Sequence, residues 1–438
     1  MLERSAIKIE DLTELKEKQL YFHFSKERGA FPENIEVKVK KIIHDVKKKG
    51  DEALLTYTKS FDNAIVTKET LRLTEDELDQ ASIGVSEEFL AALNRAIERV
   101  RRFHEHSISK EWSYKDEFGN LLGQKVTPIQ RVGVYIPGGK AVYPSSLIMT
   151  VIPAQVAGVK RIEVVSPPES FTQPSVLAAA IKQIGNIGDV YRVGGIQGIA
   201  ALALGTESVG KVDKIVGPGN IWVTVAKKIL FGHVDIDLIA GPSEVLIVND
   251  GTVDPRLTAI DLLAQAEHDE DAKAVCVTFS MEVARSIQEW VEKLMKESKR
   301  KDTIEKSLSE NGSIVVVATN DCALAVVNAI APEHLEIHTE NPERFSRGVV
   351  NAGAIFLGSS TAEAFGDYIA GPSHVLPTGG TARFFSPLTT QSFSKFSSVV
   401  QMSKKGVDEL GPYARIIAEL EGLHAHAQSI EFRESEKR

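Results

Sequence analysis

Residues 131–139 read RVGVYIPGG. A run of β-branched and aromatic residues ends in a proline and two glycines, the mark of a buried strand entering a turn. Similar runs recur at Arg161–Ser166 (RIEVVS), Val190–Val193, Lys214–Val216, Glu244–Val248, Ala272–Thr278 and Ser313–Ala318. Segments of helical length lie between many of them: Ser145–Gly158, Ser175–Ile184, Ile196–Leu204, Ile221–Phe231, Leu257–His268, Met281–Ser298 and Cys322–Ile330. Near-continuous apolar strands alternating with helices predict an α/β protein with parallel sheets covered on both faces. The strands are too many for one small sheet, so two α/β units are expected. No strand is expected beyond Ala382, where the spacing predicts a helix from Val407 to Glu421. The sequence shows no repeat.

Upstream of Arg131 the pattern is helical. Asn34–Lys49 sets Val37, Val39, Ile42, Ile43 and Val46 near helical spacing, with Gly50 at its end. Thr74 with Glu77 forms a capping box. Ser86 opens a helix striped by Phe89, Leu93, Ile97, Val100 and Phe103, and His104 and His106 read as its solvated end.

Composition narrows the function classes. The chain has 438 residues, 43% hydrophobic and 25% charged, which excludes a disordered or collagen-like protein. A net charge of -9 argues against a surface for phosphate backbones. With 2 cysteines, Cys276 and Cys322, a disulfide scaffold is excluded and a cytoplasmic location is expected. The amino terminus, MLERSAIKIEDL, has no apolar signal-peptide core. Residues 141–159 carry no charge, but Pro144, Ser145, Ser146, Pro153 and Gln155 interrupt them, so a buried helix is expected there rather than a membrane span.

Chemistry could sit in several places. Gly138-Gly139, Gly194-Gly195 and Gly217-Pro218-Gly219-Asn220 follow strands, where backbone N–H groups can approach a ligand. None has the spacing of a dinucleotide or P-loop fingerprint. Gln265 and His268 stand three apart on a predicted helix and share a face. Glu333-His334 places a carboxylate beside an imidazole at a predicted helix end, a pairing suited to proton transfer. Asp367 and His374 fall in a predicted loop. His426 follows the last predicted helix. Gln265, His268, Asp367 and His426 together make a mixed nitrogen and oxygen set suited to Zn²⁺. Neither cysteine is placed for thiol chemistry.

The ordered motifs GVYIPGG, VGGIQGIAALALG, GPGN, AGPSEVL, QAEH, APEHLE, GDY, GPSHVLPTGG and EGLHAH resemble those of the histidinol dehydrogenase family, from about Pro32 to His426. The resemblance implies two Rossmann-like domains, one discontinuous. Its boundaries would be a helical segment at 1–24, one domain from 25–128 and 242–382 with most metal and catalytic residues, an inserted NAD-binding domain at 129–241, and a segment at 383–438 reaching the partner subunit of a homodimer. It implies zinc- and NAD-dependent oxidation of L-histidinol to L-histidine through histidinaldehyde, the last step of histidine biosynthesis. By motif, Gln265, His268, Asp367 and His426 would be the zinc ligands, one ion per subunit. Glu333 and His334 would be the catalytic pair. Ser243, His374 and Glu421 would meet the substrate, together with His334 and the metal ligands. Tyr135, Gln197 and Asn220 would hold NAD. A relative acting on another hydroxylated molecule, such as a sulfonated diol, would be expected to lack Glu421, His374 and His426. A zinc hydrolase would have no use for Tyr135, Gln197 and Asn220.

Overall fold

The computed structural model describes residues 6–25, 32–138 and 143–434. Gly139 of the first glycine turn and Ala141 and Val142 of the uncharged stretch lie outside them. The strands are β1 (Lys8–Asp11), β2 (Trp112–Lys115), β3 (Leu121–Pro128), β4 (Arg131–Tyr135), β5 (Arg161–Ser166), β6 (Val190–Arg192), β7 (Lys214–Val216), β8 (Asp235–Ile236), β9 (Glu244–Asn249), β10 (Lys273–Thr278), β11 (Ser313–Val316), β12 (His334–His338), β13 (Ala354–Leu357) and β14 (Ser394–Gln401).

Two sheets are wholly parallel. One runs β6-β5-β4-β7-β8 and the other β1-β11-β10-β9-β12-β13. Numbered from β4 in the first and β9 in the second, both follow the order 3-2-1-4-5, with β1 added at the second sheet's edge. This is the winding of a Rossmann-like unit, and it reverses beside the central strand. Every residue of β9 (EVLIVN) is buried, which explains why the strand reads as one apolar run. A Cβ at Gly133 in β4 would lie 2.8 Å from Leu202 Cδ1, so a helix packs closely there. The uncharged stretch forms the helix Pro144–Val156, buried from Ser146 to Ala154. No described helix is long and apolar enough to cross a membrane.

The helices of the first third pack on both sides of the five-stranded sheet. Val39, Ile42, Val46 and Leu54 pack with Ile199 and Val223 on one side of the five-stranded sheet. Leu78, Leu93 and Val100 pack with Leu147, Val164 and Leu177 on the other. Residues 1–24 hold a strand as well as a helix. β1 lies on β11, and Leu20 of the helix Glu17–Phe24 packs with Val326 and Leu335. An amphipathic stripe states that a helix face is buried, but not which sheet buries it.

A third, antiparallel sheet joins distant segments. β14 pairs with β3 over eight residues, from Ser394 opposite Pro128 to Gln401 opposite Leu121, and β3 pairs with β2. This corrects the expectation that strands end at Ala382. β14 (SKFSSVVQ) is exposed along nearly all its length, so no buried face patterns its sequence.

His104 is also corrected. It is fully buried, and neither ring nitrogen has a hydrogen-bond partner. Burial pushes its pKa from 6.5 down to about 4. The folded chain therefore binds this proton less readily than the unfolded chain, and stability falls as pH drops from 6.5 towards 4. His104→Leu should remove that dependence. Its melting temperature relative to wild type should rise between pH 7.5 and pH 5. An unchanged difference across that range would refute this role of the imidazole.

Candidate active site

The first residue of β9 organises the site. The backbone N–H of Glu244 donates to Glu333 Oε2 at 3.0 Å, and its carbonyl accepts from His334 Nδ1 at 3.2 Å. A carbonyl only accepts, so Nδ1 carries the proton and Nε2 keeps its lone pair. Nε2 has no hydrogen-bond partner and lies 3.8 Å from Asp367 Oδ1. Burial lowers the His334 pKa to about 3, so the ring is neutral at pH 7. Glu333 is buried beside it, with Nδ1 of His334 3.9 Å from Oε2. Burial, and secondarily the charges of Glu244 and Asp367, push the Glu333 pKa well up. The Ser243 side chain is close enough to offset this rise in part.

Other elements complete the cluster. The helix Pro255–Ala266 presents Gln265, which is fully buried with both ends of its amide unpartnered. His268 lies just past that helix, exposed in the single chain, with its backbone N–H on the Gln265 carbonyl at 3.2 Å. It is close enough to influence His334 and His374 electrostatically. Asp367 belongs to the helix Glu363–Tyr368 rather than to a loop. Burial raises its pKa to about 7. His374 donates from Nδ1 to the Asp367 carbonyl at 3.0 Å, leaving Nε2 to accept from Ser146 Oγ at 3.2 Å. Ser146 lies on a helix of the five-stranded unit, so this contact ties the two units at the site.

Glu333 and His334 are not at a helix end, as expected, but at the entry to β12; the preceding helix stops at Ile330. Sequence reasoning missed Glu363. It is buried, its Oε2 lies 3.7 Å from His334 Nδ1, and burial raises its pKa strongly. A single glutamate before an apolar residue carries no signal that could have singled it out. Glu421 and His426 do not join the cluster within one chain. Both are exposed, and among the described residues no hydrogen bond or ion pair links them to it.

This donor set fits a divalent ion. Gln265 brings a buried amide whose oxygen has no partner, Asp367 a half-buried carboxylate 3.8 Å from His334 Nε2, and His268 a neutral imidazole. Asp261, Glu336 and His338 form a second buried group behind it.

The residues expected to hold NAD lie at the carboxyl edge of the five-stranded sheet. Tyr135 ends β4, and its hydroxyl accepts the Gly195 N–H. Gln197 is fully buried; its Nε2 donates to Asp62 at 3.2 Å and its Oε1 has no partner. Asp62 is a further residue that sequence reasoning missed. Asn220 Oδ1 caps the helix Ile221–Leu230, accepting from Trp222 and Val223, which leaves its NH₂ to donate. Gly217 has φ +115°, and a Cβ there would lie 2.1 Å from the Tyr135 carbonyl. Only glycine fits at that point. The carboxyl edge beside the switch in strand order is where α/β sheets bind dinucleotides, and the open Gln197 amide fits one.

A family model described as histidinol dehydrogenase matches residues 26–434. Histidinol dehydrogenase of Syntrophotalea carbinolica is 47% identical over 92% of this chain and 93% of its own. That of Geobacter metallireducens is 49% identical over 91% of this chain and 92% of its own. The crystal structure of histidinol dehydrogenase from Elizabethkingia anophelis superposes with a TM-score of 0.93 at 34% identity, covering 98% of each chain.

A buried ion pair fixes the turn at Gly217. Asp237 Oδ2 accepts the Gly217 N–H at 2.8 Å, Lys227 Nζ donates to the Gly217 carbonyl at 3.0 Å, and the two side chains pair directly. Lys227→Met would leave the Asp237 charge buried without its partner, at a cost of about 3–5 kcal/mol. Urea denaturation measures it. A loss below about 1 kcal/mol, the range of an exposed pair, would show that the turn does not depend on this ion pair.

Proposed function

Because the chain belongs to the histidinol dehydrogenase family, a family of oxidoreductases, we propose that it converts L-histidinol to L-histidine through histidinaldehyde, consuming two NAD⁺. The observation that carries this reading is the juxtaposition of Glu333 and neutral His334 on the main chain of Glu244, beside the Asp367 carboxyl and the unpartnered amide of Gln265.

Gln265, His268 and Asp367, with His426 of the partner subunit, would hold one zinc ion. When bound, zinc supplies a positive centre for the substrate's nitrogen atoms, and NAD, held by Tyr135, Gln197 and Asn220, takes up hydride. Ser243, His374 and the partner subunit's Glu421 orient the substrate. His334 Nε2 accepts the hydroxyl proton in each oxidation. Between them, Glu333 takes a proton from the water that adds to the aldehyde. Water stands in for a thiol nucleophile: Cys276 and Cys322 are free but buried, and burial pushes the Cys276 thiol pKa up. Two free thiols also suit the cytoplasm, where we place the enzyme.

We further propose that the working unit is a homodimer. The antiparallel sheet is open to solvent along both β2 and β14, and Tyr413, Ile416, Ile417 and Leu420 of the helix Lys404–Leu420 are exposed beside it. Three such strands have no core of their own, and a second copy would cover them. The same segment carries Glu421 and His426, which reach no site in their own chain.

An NADH assay with L-histidinol should give two NADH per substrate, and one NADH would sink the four-electron reading. Glu333→Gln should oxidise supplied histidinaldehyde poorly while keeping more of the alcohol step. His334→Asn should damage both steps. Equal losses in Glu333→Gln would count against the division of labour.

The shared site has its own test. Mixing His426→Ala with His334→Ala chains under subunit exchange should restore roughly a quarter of the sites, since half the dimers are mixed and each has one intact site. A verified mixed dimer as inactive as its parents would refute sharing.

A further inference from the structure

The polar row on β12 continues beyond His334. Alternation sets His334, Glu336 and His338 on one face and Leu335 and Ile337 on the other, and all five are buried. Glu336 Oε1 accepts the backbone N–H of Glu363 at 2.6 Å. The Asp261 carboxyl lies beside it, with an oxygen within 4.8 Å of a Glu336 oxygen. Glu336 Oε2 lies 3.3 Å from His338 Nε2. On the far side, His338 Nδ1 is 3.2 Å from the Thr258 hydroxyl, which accepts from Asn249 Nδ2 at 2.8 Å.

Two carboxyls side by side away from water do not both ionise. Burial and the neighbouring Asp261 hold the Glu336 pKa well above the usual carboxylate range. Glu336 Oε2 makes no hydrogen bond in this arrangement; His338 Nε2, at 3.3 Å, is beside it but is itself unpartnered. As an acid, Glu336 has a proton to donate to Asp261 and still accepts the Glu363 amide. That amide opens the helix Glu363–Tyr368, whose N-cap, Ala362, has no side-chain oxygen to offer. Glu336 occupies the place of the missing cap. The helix is only six residues long, and it carries two of the carboxyls beside His334: Glu363 at 3.7 Å and Asp367 at 3.8 Å.

We propose that Glu336 is a positioning residue: its bond to the Glu363 amide, braced by Asp261 and His338, sets the helix that presents Asp367 to the metal. The inference rests on the zinc reading above. The ligand atoms of Asp261, Glu336 and His338 lie within 4.8 Å of one another, a spacing that would also admit a cation. A shared proton satisfies the group without one, and the experiment separates the two accounts.

Zinc affinity is measured on the full-length apo chain by competition with a chromophoric chelator, with elemental analysis for stoichiometry and thermal melting for stability. Glu336→Gln reproduces the protonated acid, with one acceptor and one donor, and should keep wild-type affinity. Glu336→Met has neither and should bind zinc about 10–100-fold more weakly. Val291→Ala, in the core on another part of the same sheet, should lower the melting temperature and leave zinc affinity unchanged. Wild-type affinity in Glu336→Met would overturn the inference while leaving the zinc reading intact. So would a Glu336→Gln chain that folds but binds zinc weakly, a test that holds even if the Met variant does not fold. A second zinc per wild-type chain, lost in Glu336→Gln, would favour the cation account and overturn the shared proton. A wild-type chain that takes up no zinc would overturn the zinc reading, and this inference with it.

Discussion

Glu333 and His334 depend on the main chain of one residue. The N–H of Glu244 satisfies the carboxyl and its carbonyl fixes the tautomer of the imidazole. Neither group of the peptide can be mutated away, and both are placed by the register that sets His334 opposite Val245. Around them the protein buries Glu333, Glu336, Glu363 and most of Asp367, and among the described residues none of these pairs with a lysine or arginine. Carboxyls in such a place must be protonated, accept from the backbone or meet a cation. All three solutions have a part here: a shared proton at Glu336, a backbone amide at Glu333, and, for an ion, the Asp367 carboxyl with the unpartnered amide of Gln265.

The two units use opposite ends of sheets wound in the same order. Tyr135, Gln197 and Asn220 lie beyond the carboxyl ends of β4, β6 and β7, the usual place for a ligand of such a sheet. Glu333 and His334 lie at the amino ends of β9 and β12. The Ser146–His374 contact crosses between the units. The proposed hydride transfer would bring a substrate at one edge to a nicotinamide at the other, and the contact between units would then bear on the chemistry.

Strands buried on both faces were legible because nothing polar interrupts them, as in β5 (RIEVVS) and β9 (EVLIVN). β12 was missed for the opposite reason. HLEIH buries its polar alternation, so its inward face reads as an outward one. β2, β3 and β14 were missed because water reaches much of both their faces. Motif order picked out most of the candidate site. Glu363, Glu336 and Asp261 escaped because their significance lies in being enclosed together, and enclosure is a property of packing. The common strand order of the two sheets escaped because winding leaves no mark on spacing. The same limit hid His104, whose position at the end of a stripe says nothing about what covers it.

β1 gives the chain an unusual history as it is made. Among the described residues it pairs only with β11, about 300 residues downstream. At common synthesis rates, roughly 15–60 s pass between the emergence of the two strands. The five-stranded sheet is complete in sequence by Ile236, long before β11 exists. On the ribosome, that sheet and its covering helices can pack, short of Val375, Leu388 and Phe393, while β1 waits with both edges open. β1 is four residues long and reads KIED, short and charged enough to remain unpaired during that interval without recruiting a neighbouring chain.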